Sequence, residues 1–200
     1  MRLALFLFVL LFSALPAMAA KNILIMGDSL SAGYGIRPEQ AWPSLLAKRL
    51  SEQASDYSVV NLSISGETSA GGLSRLTPAL QQHKPAVVII VLGANDGLRG
   101  LPLSQMQDNL GKMVDASRRA GARILLIGMR LPPNYGIYTQ QFQHSFDQLA
   151  QSRKTALLPF LLEPVAAQST FFQADNLHPT AEAQPLLLNH LWPTLRPLLK

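Results

Sequence analysis

The sequence predicts one three-layer α/β domain built around a parallel five-stranded sheet. Short apolar segments alternate with helical patterns along the chain after the first twenty residues. The two central apolar segments, residues 87–92 and 124–127, contain no polar residue. A strand that is apolar on both faces is buried on both faces, which is typical of a parallel sheet covered by helices.

Five segments have the length and composition of strands. Each is a short apolar run, and the central ones lack the polar alternation that a half-exposed strand shows. The predicted strands are residues 22–27, 57–63, 86–92, 123–128 and 155–158.

Four helices are predicted between the strands, and one more follows the last strand. Apolar residues recur at helical spacing from Leu103 to Val114, which gives the third helix one apolar face. Pro185 and Pro193 fall in the last helix, so we expect that helix to be kinked or broken. The predicted helices are residues 41–51, 73–82, 103–120, 138–154 and a segment after Pro179.

The composition excludes several classes of protein. With 48% hydrophobic and 14% charged residues the chain is not intrinsically disordered, and 200 residues suffice for one domain. Because the chain has no cysteine, it cannot be a disulfide scaffold, hold a thiolate metal site or use a cysteine nucleophile. Lysine and arginine occur in ones and twos, without the basic stripe that would indicate nucleic-acid binding.

The first nineteen residues are predicted to be a signal peptide. Arg2 precedes an apolar run from Leu3 to Leu15, and Ala17-Met18-Ala19 fits the small-x-small cleavage pattern. The run, of about 13 residues, is too short to span ~30 Å of hydrocarbon, although an uncleaved anchor is the alternative. We expect cleavage after Ala19, a single domain over residues 20–200, export to a bacterial periplasm and no stable membrane insertion afterwards.

Residues suited to acyl transfer follow the predicted strands, where α/β sheets bind ligands. Ser29 directly follows the first strand and can act as a nucleophile or cap the next helix. His178 stands three residues after Asp175, so the carboxylate can orient the imidazole toward a serine.

Two further strand ends offer hydrogen-bond donors for an oxyanion. Gly66 follows the second strand, where a glycine lets a backbone N–H approach a substrate closely. Asn95 follows the third strand, and its amide can stabilise an oxyanion or simply belong to a turn.

Together these segments resemble the SGNH, or GDSL, hydrolase family. Gly27-Asp28-Ser29-Leu30, Gly66, Gly93-Ala94-Asn95-Asp96 and Asp175-x-x-His178 occur in the family's order and span nearly the whole chain after the leader. Residues 24–35, 61–69, 95–100 and 130–136 look like the bacterial secreted thioesterase I group, whose members are thioesterases, arylesterases and lysophospholipases. One departure is Ala94, which stands where the family pattern has glycine.

The resemblance implies both a fold and site roles. It implies a flavodoxin-like sheet with strand order 2-1-3-4-5. Ser29 would be the nucleophile, His178 the base and Asp175 its orienting partner. The oxyanion hole would consist of the Gly66 N–H, Asn95 and the Ser29 N–H. No metal or organic cofactor is required.

We therefore expect a monomeric serine hydrolase of acyl esters, thioesters or lysophospholipids. The alternatives are a carbohydrate O-acetyl esterase of the same fold and a non-catalytic secreted module that binds lipid or nucleotide. We interpret Ser69 as structural. Leucine-rich loops follow the third and fourth strands, and we expect them to form an apolar groove for the acyl chain. The predicted groove residues are Leu98, Leu101, Leu131 and Tyr135.

Overall fold

The computed structural model describes residues 21–53 and 55–200. In this part of the chain five parallel strands form one sheet in the order β2-β1-β3-β4-β5, which confirms the predicted fold class and strand order. The predicted signal peptide lies outside the described residues. The strands are β1 (Lys21–Gly27), β2 (Tyr57–Asn61), β3 (Val87–Val91), β4 (Arg123–Ile127) and β5 (Ala156–Leu158).

Helices cover both faces of this sheet. The first and last of the long helices pack against each other on one face, and the other three pack side by side on the opposite face. Two short helices begin directly at strand ends. The helices are α1 (Ser29–Ala32), α2 (Trp42–Glu52), α3 (Ser69–His83), α4 (Ala94–Leu98), α5 (Leu103–Arg119), α6 (Ile137–Arg153) and α7 (Gln184–Leu195).

The core lies between the sheet and the two helical layers. Every residue of β3 is buried, as are residues 23–26 of β1 and 124–127 of β4. The runs in β3 and β4 are the ones whose lack of polar alternation predicted burial on both faces. The hydrophobic effect therefore holds the central strands in place, and their carboxyl ends are fixed relative to one another.

The last helix was predicted to be kinked or broken, and it is not broken. Pro185 stands in the first turn of α7, where a backbone N–H would have no helical acceptor, so its ring costs nothing there. Pro193 lies inside the helix, two residues before the end, and α7 nevertheless continues to Leu195. Proline position, rather than proline count, decides the outcome.

Two elements of the fold were not predicted, and both carry candidate site residues. Helix α1 has four residues and α4 has five, so neither is long enough to display a helical repeat of apolar residues.

Within the described residues, no helix is both long and apolar enough to cross a membrane.

Candidate active site

The turn from β1 into α1 positions the candidate nucleophile. Asp28, which is 1% exposed, caps α1 by accepting a hydrogen bond from the Leu30 N–H at 3.0 Å. Ser29 is the first helical residue and does not serve as the cap. The Ser29 hydroxyl is therefore not engaged in a capping hydrogen bond. The Ser29 backbone N–H lies in the first turn, where an α-helix offers no acceptor.

Ser29, His178 and Asp175 form one hydrogen-bonded chain. The Ser29 Oγ lies 2.9 Å from His178 Nε2, and His178 Nδ1 lies 2.7 Å from Asp175 Oδ2. Residues that are far apart in sequence therefore meet at the carboxyl end of β1. The geometry brings together all three side chains that the sequence singled out.

The Asp175 carboxylate also shapes the loop that carries the histidine. Its second oxygen accepts hydrogen bonds from the backbone N–H groups of His178 at 3.0 Å and Leu177 at 2.9 Å. The His178 N–H has the largest effect on this carboxyl group, and with the His178 ring and the Leu177 N–H it lowers the pKa of Asp175 to about 2. Asp175 is therefore ionised at neutral pH and ready to accept the imidazole Nδ1–H.

Two residues that sequence analysis did not identify support the histidine. The Tyr34 ring lies against the His178 ring, with 4.5 Å between their centroids. Gln173 donates from its amide to the carbonyl oxygens of Tyr34 and Pro179, and its backbone N–H donates to the His178 carbonyl. Gln173 lies outside every segment that carries the resemblance, and Tyr34, although it lies within residues 24–35, had no predicted role.

Two of the three predicted oxyanion donors, Gly66 and Asn95, lie on adjacent segments. The Asn95 amide nitrogen donates to the Glu67 carbonyl at 3.0 Å and lies 3.4 Å from an Asp28 carboxylate oxygen. Gly66 has a left-handed φ of +79°, a conformation that glycine adopts without strain. Its carbonyl accepts a hydrogen bond from Arg99 at 2.9 Å.

A cavity of about 210 Å³ opens beside Ser29 and His178. Of the predicted groove residues, Leu98 and Leu131 line this cavity, whereas Leu101 and Tyr135 do not. The Tyr135 hydroxyl instead donates to the carbonyl of Leu98, the last residue of α4. The remaining apolar lining residues that sequence analysis missed are Leu30, Met129, Leu162 and Leu177.

Asp28 is a buried ionisable group next to the candidate nucleophile. Burial raises the pKa of its carboxyl to about 6, although the Leu30 N–H, His178 and Asn95 act in the opposite direction.

Among the described residues, no group of three or more histidine, aspartate or glutamate side chains is arranged to hold a metal ion.

Several known proteins are similar to this chain in sequence. The model of the GDSL-like Lipase/Acylhydrolase family matches residues 25–185. Esterase TesA of Pseudomonas aeruginosa is 51% identical over 182 residues, covering 90% of this chain and 90% of that protein. Thioesterase 1/protease 1/lysophospholipase L1 of Escherichia coli is 42% identical over 194 residues, covering 96% and 91% of the two chains.

A solved structure extends the likeness to three dimensions. The psychrotrophic esterase EstA from a Pseudoalteromonas species, inhibited by monoethylphosphonate, superposes with a TM-score of 0.85 at 42% identity. The match covers 88% of this chain and 97% of that one.

The raised pKa of Asp28 predicts a pH-dependent stability. The folded chain binds a proton at the Asp28 carboxyl more tightly than the unfolded chain does. The contribution of Asp28 to the free energy of unfolding therefore falls as the pH rises from about 4 through about 6. The variant Asp28→Asn has no such loss. Its free energy of unfolding, relative to the wild type, should therefore increase between pH 4 and pH 7 by up to roughly 3 kcal/mol.

Urea denaturation of both proteins at each pH measures this difference. The exposed Asp147→Asn variant controls for removal of one negative charge. If the Asp28→Asn and wild-type stabilities differ by the same amount at pH 4 and pH 7, the raised pKa is wrong.

Proposed function

The chain belongs to the GDSL-like lipase/acylhydrolase family, and we propose that it is a serine hydrolase of acyl esters and thioesters with Ser29 as its nucleophile. The relatives' names, esterase and thioesterase/lysophospholipase, support this class of reaction. The inhibition of one relative by a phosphonate fits the same chemistry, because phosphonates react with activated serines.

One observation carries the assignment of roles. The Ser29 Oγ, both ring nitrogens of His178 and the Asp175 carboxylate form a continuous hydrogen-bonded chain at the mouth of an apolar cavity. A serine hydroxyl is a weak nucleophile unless an adjacent base removes its proton. His178 is within reach of that proton, and Asp175 fixes which imidazole nitrogen carries the ring's own hydrogen.

The proposed reaction proceeds through an acyl-enzyme. The Ser29 Oγ attacks the acyl carbonyl while His178 Nε2 takes the hydroxyl proton, and the imidazolium is stabilised by Asp175. His178 then returns the proton to the leaving alcohol or thiol as the acyl–O or acyl–S bond breaks. A water molecule, deprotonated by His178, attacks the acyl-enzyme. His178 returns this proton to the Ser29 Oγ as the acyl–Oγ bond breaks, which releases the carboxylic acid and the free serine.

Asn95, with the backbone N–H groups of Gly66 and Ser29, would stabilise the negative oxygen of the tetrahedral intermediate. One hydrogen of the Asn95 amide is already committed to the Glu67 carbonyl. The other faces Asp28 at 3.4 Å, which is longer than a good N–H···O hydrogen bond. That second hydrogen is therefore available to a developing oxyanion without loss of a strong contact.

The cavity favours an apolar acyl chain. Leu98, Leu131, Leu162 and Leu177 contribute to its wall, and Arg130, also in the wall, forms an ion pair with Glu163 at 2.7 Å. A sugar O-acetyl ester would bury hydroxyl groups against these leucines and leave them without hydrogen-bond partners. We therefore favour fatty-acyl esters, thioesters and lysophospholipids over acetylated carbohydrates.

The proposal also covers the location, cofactor requirement and oligomeric state of the enzyme. The charged start, apolar run and small-x-small site of residues 1–19 support export to the periplasm. The proposed chemistry uses the three side chains and backbone donors named above and calls for no metal or cofactor. We expect the enzyme to act as a monomer on small-molecule substrates.

Removal of the nucleophile tests the proposal directly. Ser29→Ala should lower kcat on an aryl ester by roughly 10⁴–10⁶-fold, because no hydroxyl remains to form the acyl-enzyme. Labelling with a fluorophosphonate should also disappear. The exposed helical serine Ser74, changed to alanine, serves as the matched control and should keep wild-type activity and labelling. Substantial hydrolysis or labelling by Ser29→Ala would show that another residue is the nucleophile.

Acyl-chain preference tests the role of the cavity. Leu98→Trp narrows the cavity, whereas Leu101→Trp places the same bulk three residues away, outside its lining. Since each buried methylene contributes up to ~0.8 kcal/mol, kcat/KM of the wild type should rise with chain length until the cavity is full. Leu98→Trp should slow long chains more than short ones, and Leu101→Trp should not change the preference.

Aryl esters from acetate to dodecanoate provide the series. An equal loss at every chain length in Leu98→Trp would mean that the acyl chain does not occupy this cavity.

A further inference from the structure

The segments that carry Gly66 and Asn95 are tied together by side-chain hydrogen bonds. The Asn95 amide donates to the Glu67 carbonyl at 3.0 Å, and Arg99 donates to the Gly66 carbonyl at 2.9 Å. A third tie links Ser69, at the start of α3, to Asp96 in α4. The loop after β2 and the helix after β3 are thus held together at three points.

The third tie is buried and uses both oxygens of one carboxylate. The Ser69 hydroxyl donates to Asp96 Oδ1 at 2.6 Å, and the Ser69 N–H donates to Oδ2 at 2.8 Å. Asn109 of α5 donates to the Ser69 Oγ at 3.1 Å. Ser69 is 0% exposed and Asp96 is 3% exposed. A carboxylate in such surroundings is strongly destabilised unless hydrogen bonds hold it, so this arrangement has little freedom to shift.

Helix α4 cannot fix the direction of Asn95 by itself. It has five residues, its N-cap is Gly93, and no side chain caps it. A helix this short is not stable from its own hydrogen bonds, so its orientation depends on contacts with the rest of the protein. Asp96 directly follows Asn95, so its two hydrogen bonds to Ser69 hold the backbone beside the residue that carries the amide.

We propose that Ser69, Asp96 and Asn109 are positioning residues that set the separation of the two oxyanion donors, the Gly66 N–H and the Asn95 amide. This inference rests on the proposed function, in which those donors stabilise the tetrahedral intermediate. It replaces our interpretation of Ser69 as merely structural. Since stabilisation of the oxyanion requires donors at about 2.7–3.1 Å, loss of the buried tie lowers the rate through Asn95, without contact between Ser69 and substrate.

A double-mutant cycle tests this mechanism. Ser69→Ala should lower kcat on an aryl ester by roughly 10-fold or more while KM changes little, because a positioned donor acts mainly in the transition state. In the Asn95→Ala background the same substitution should change kcat by less than about 2-fold, since the donor that Ser69 positions is already absent. Concentrations are normalised to the folded fraction by circular dichroism and gel filtration.

The matched control is Ser117→Ala. Ser117 is also 0% exposed and lies on α5, but its hydroxyl has no hydrogen-bond partner among the described residues. The Ser117→Ala substitution should leave kcat unchanged both in the wild-type protein and in the Asn95→Ala variant. If Ser69→Ala does not fold, Asn109→Ala removes only the outer hydrogen bond of the network, and it should show a smaller loss with the same dependence on Asn95.

The results separate this inference from the proposed function. If the Ser69→Ala protein loses thermal stability but keeps the wild-type kcat, Ser69 has a purely structural role and the inference is wrong. Equal losses of kcat in the wild-type and Asn95→Ala backgrounds, with Asn95→Ala itself impaired, contradict the positioning role and leave the function intact. Wild-type kcat in Asn95→Ala alone overturns both the oxyanion assignment and this inference.

Discussion

The hydrogen bond between the Asp28 carboxylate and the Leu30 N–H is the interaction on which the arrangement of the site depends. By capping α1, Asp28 leaves Ser29 at the first helical position with its hydroxyl directed to His178. If Ser29 capped the helix, its oxygen would accept from a backbone N–H and would lie away from the base. The two roles that sequence analysis left open for this serine are thus divided between neighbouring residues.

Two buried carboxylates lie close to Asn95, and they are satisfied in different ways. Asp28 lies 3.4 Å from the Asn95 amide, and burial raises the pKa of its carboxyl to about 6. Asp96 is the next residue after Asn95, and both of its oxygens accept hydrogen bonds from Ser69. Burial of such groups is unfavourable for folding unless hydrogen bonds compensate, and here the Leu30 N–H donates to Asp28 while Ser69 donates twice to Asp96.

Much of the fold could be predicted because burial leaves a pattern in the sequence. The apolar runs of β3 and β4 indicated a parallel sheet, and the site residues could be located because most of them follow a strand. Helices α1 and α4 could not be predicted, since four or five residues show no periodicity. The same holds for the cavity wall: Met129 and Leu162 reach it from separate loops, and only the tertiary fold determines which leucines face the cavity.

In the proposed reaction Ser29 forms a covalent intermediate whose oxyanion is held by Asn95, Gly66 and the Ser29 N–H. The crystal structure of this protein after reaction with a short alkyl phosphonate, which resembles the tetrahedral intermediate, tests it most directly. Phosphorus should be bonded to the Ser29 Oγ, with its oxygen within about 2.7–3.1 Å of the Asn95 amide and both backbone N–H groups. Phosphorus on another side chain, or an oxygen turned away from Asn95 and Gly66 toward solvent, would contradict it.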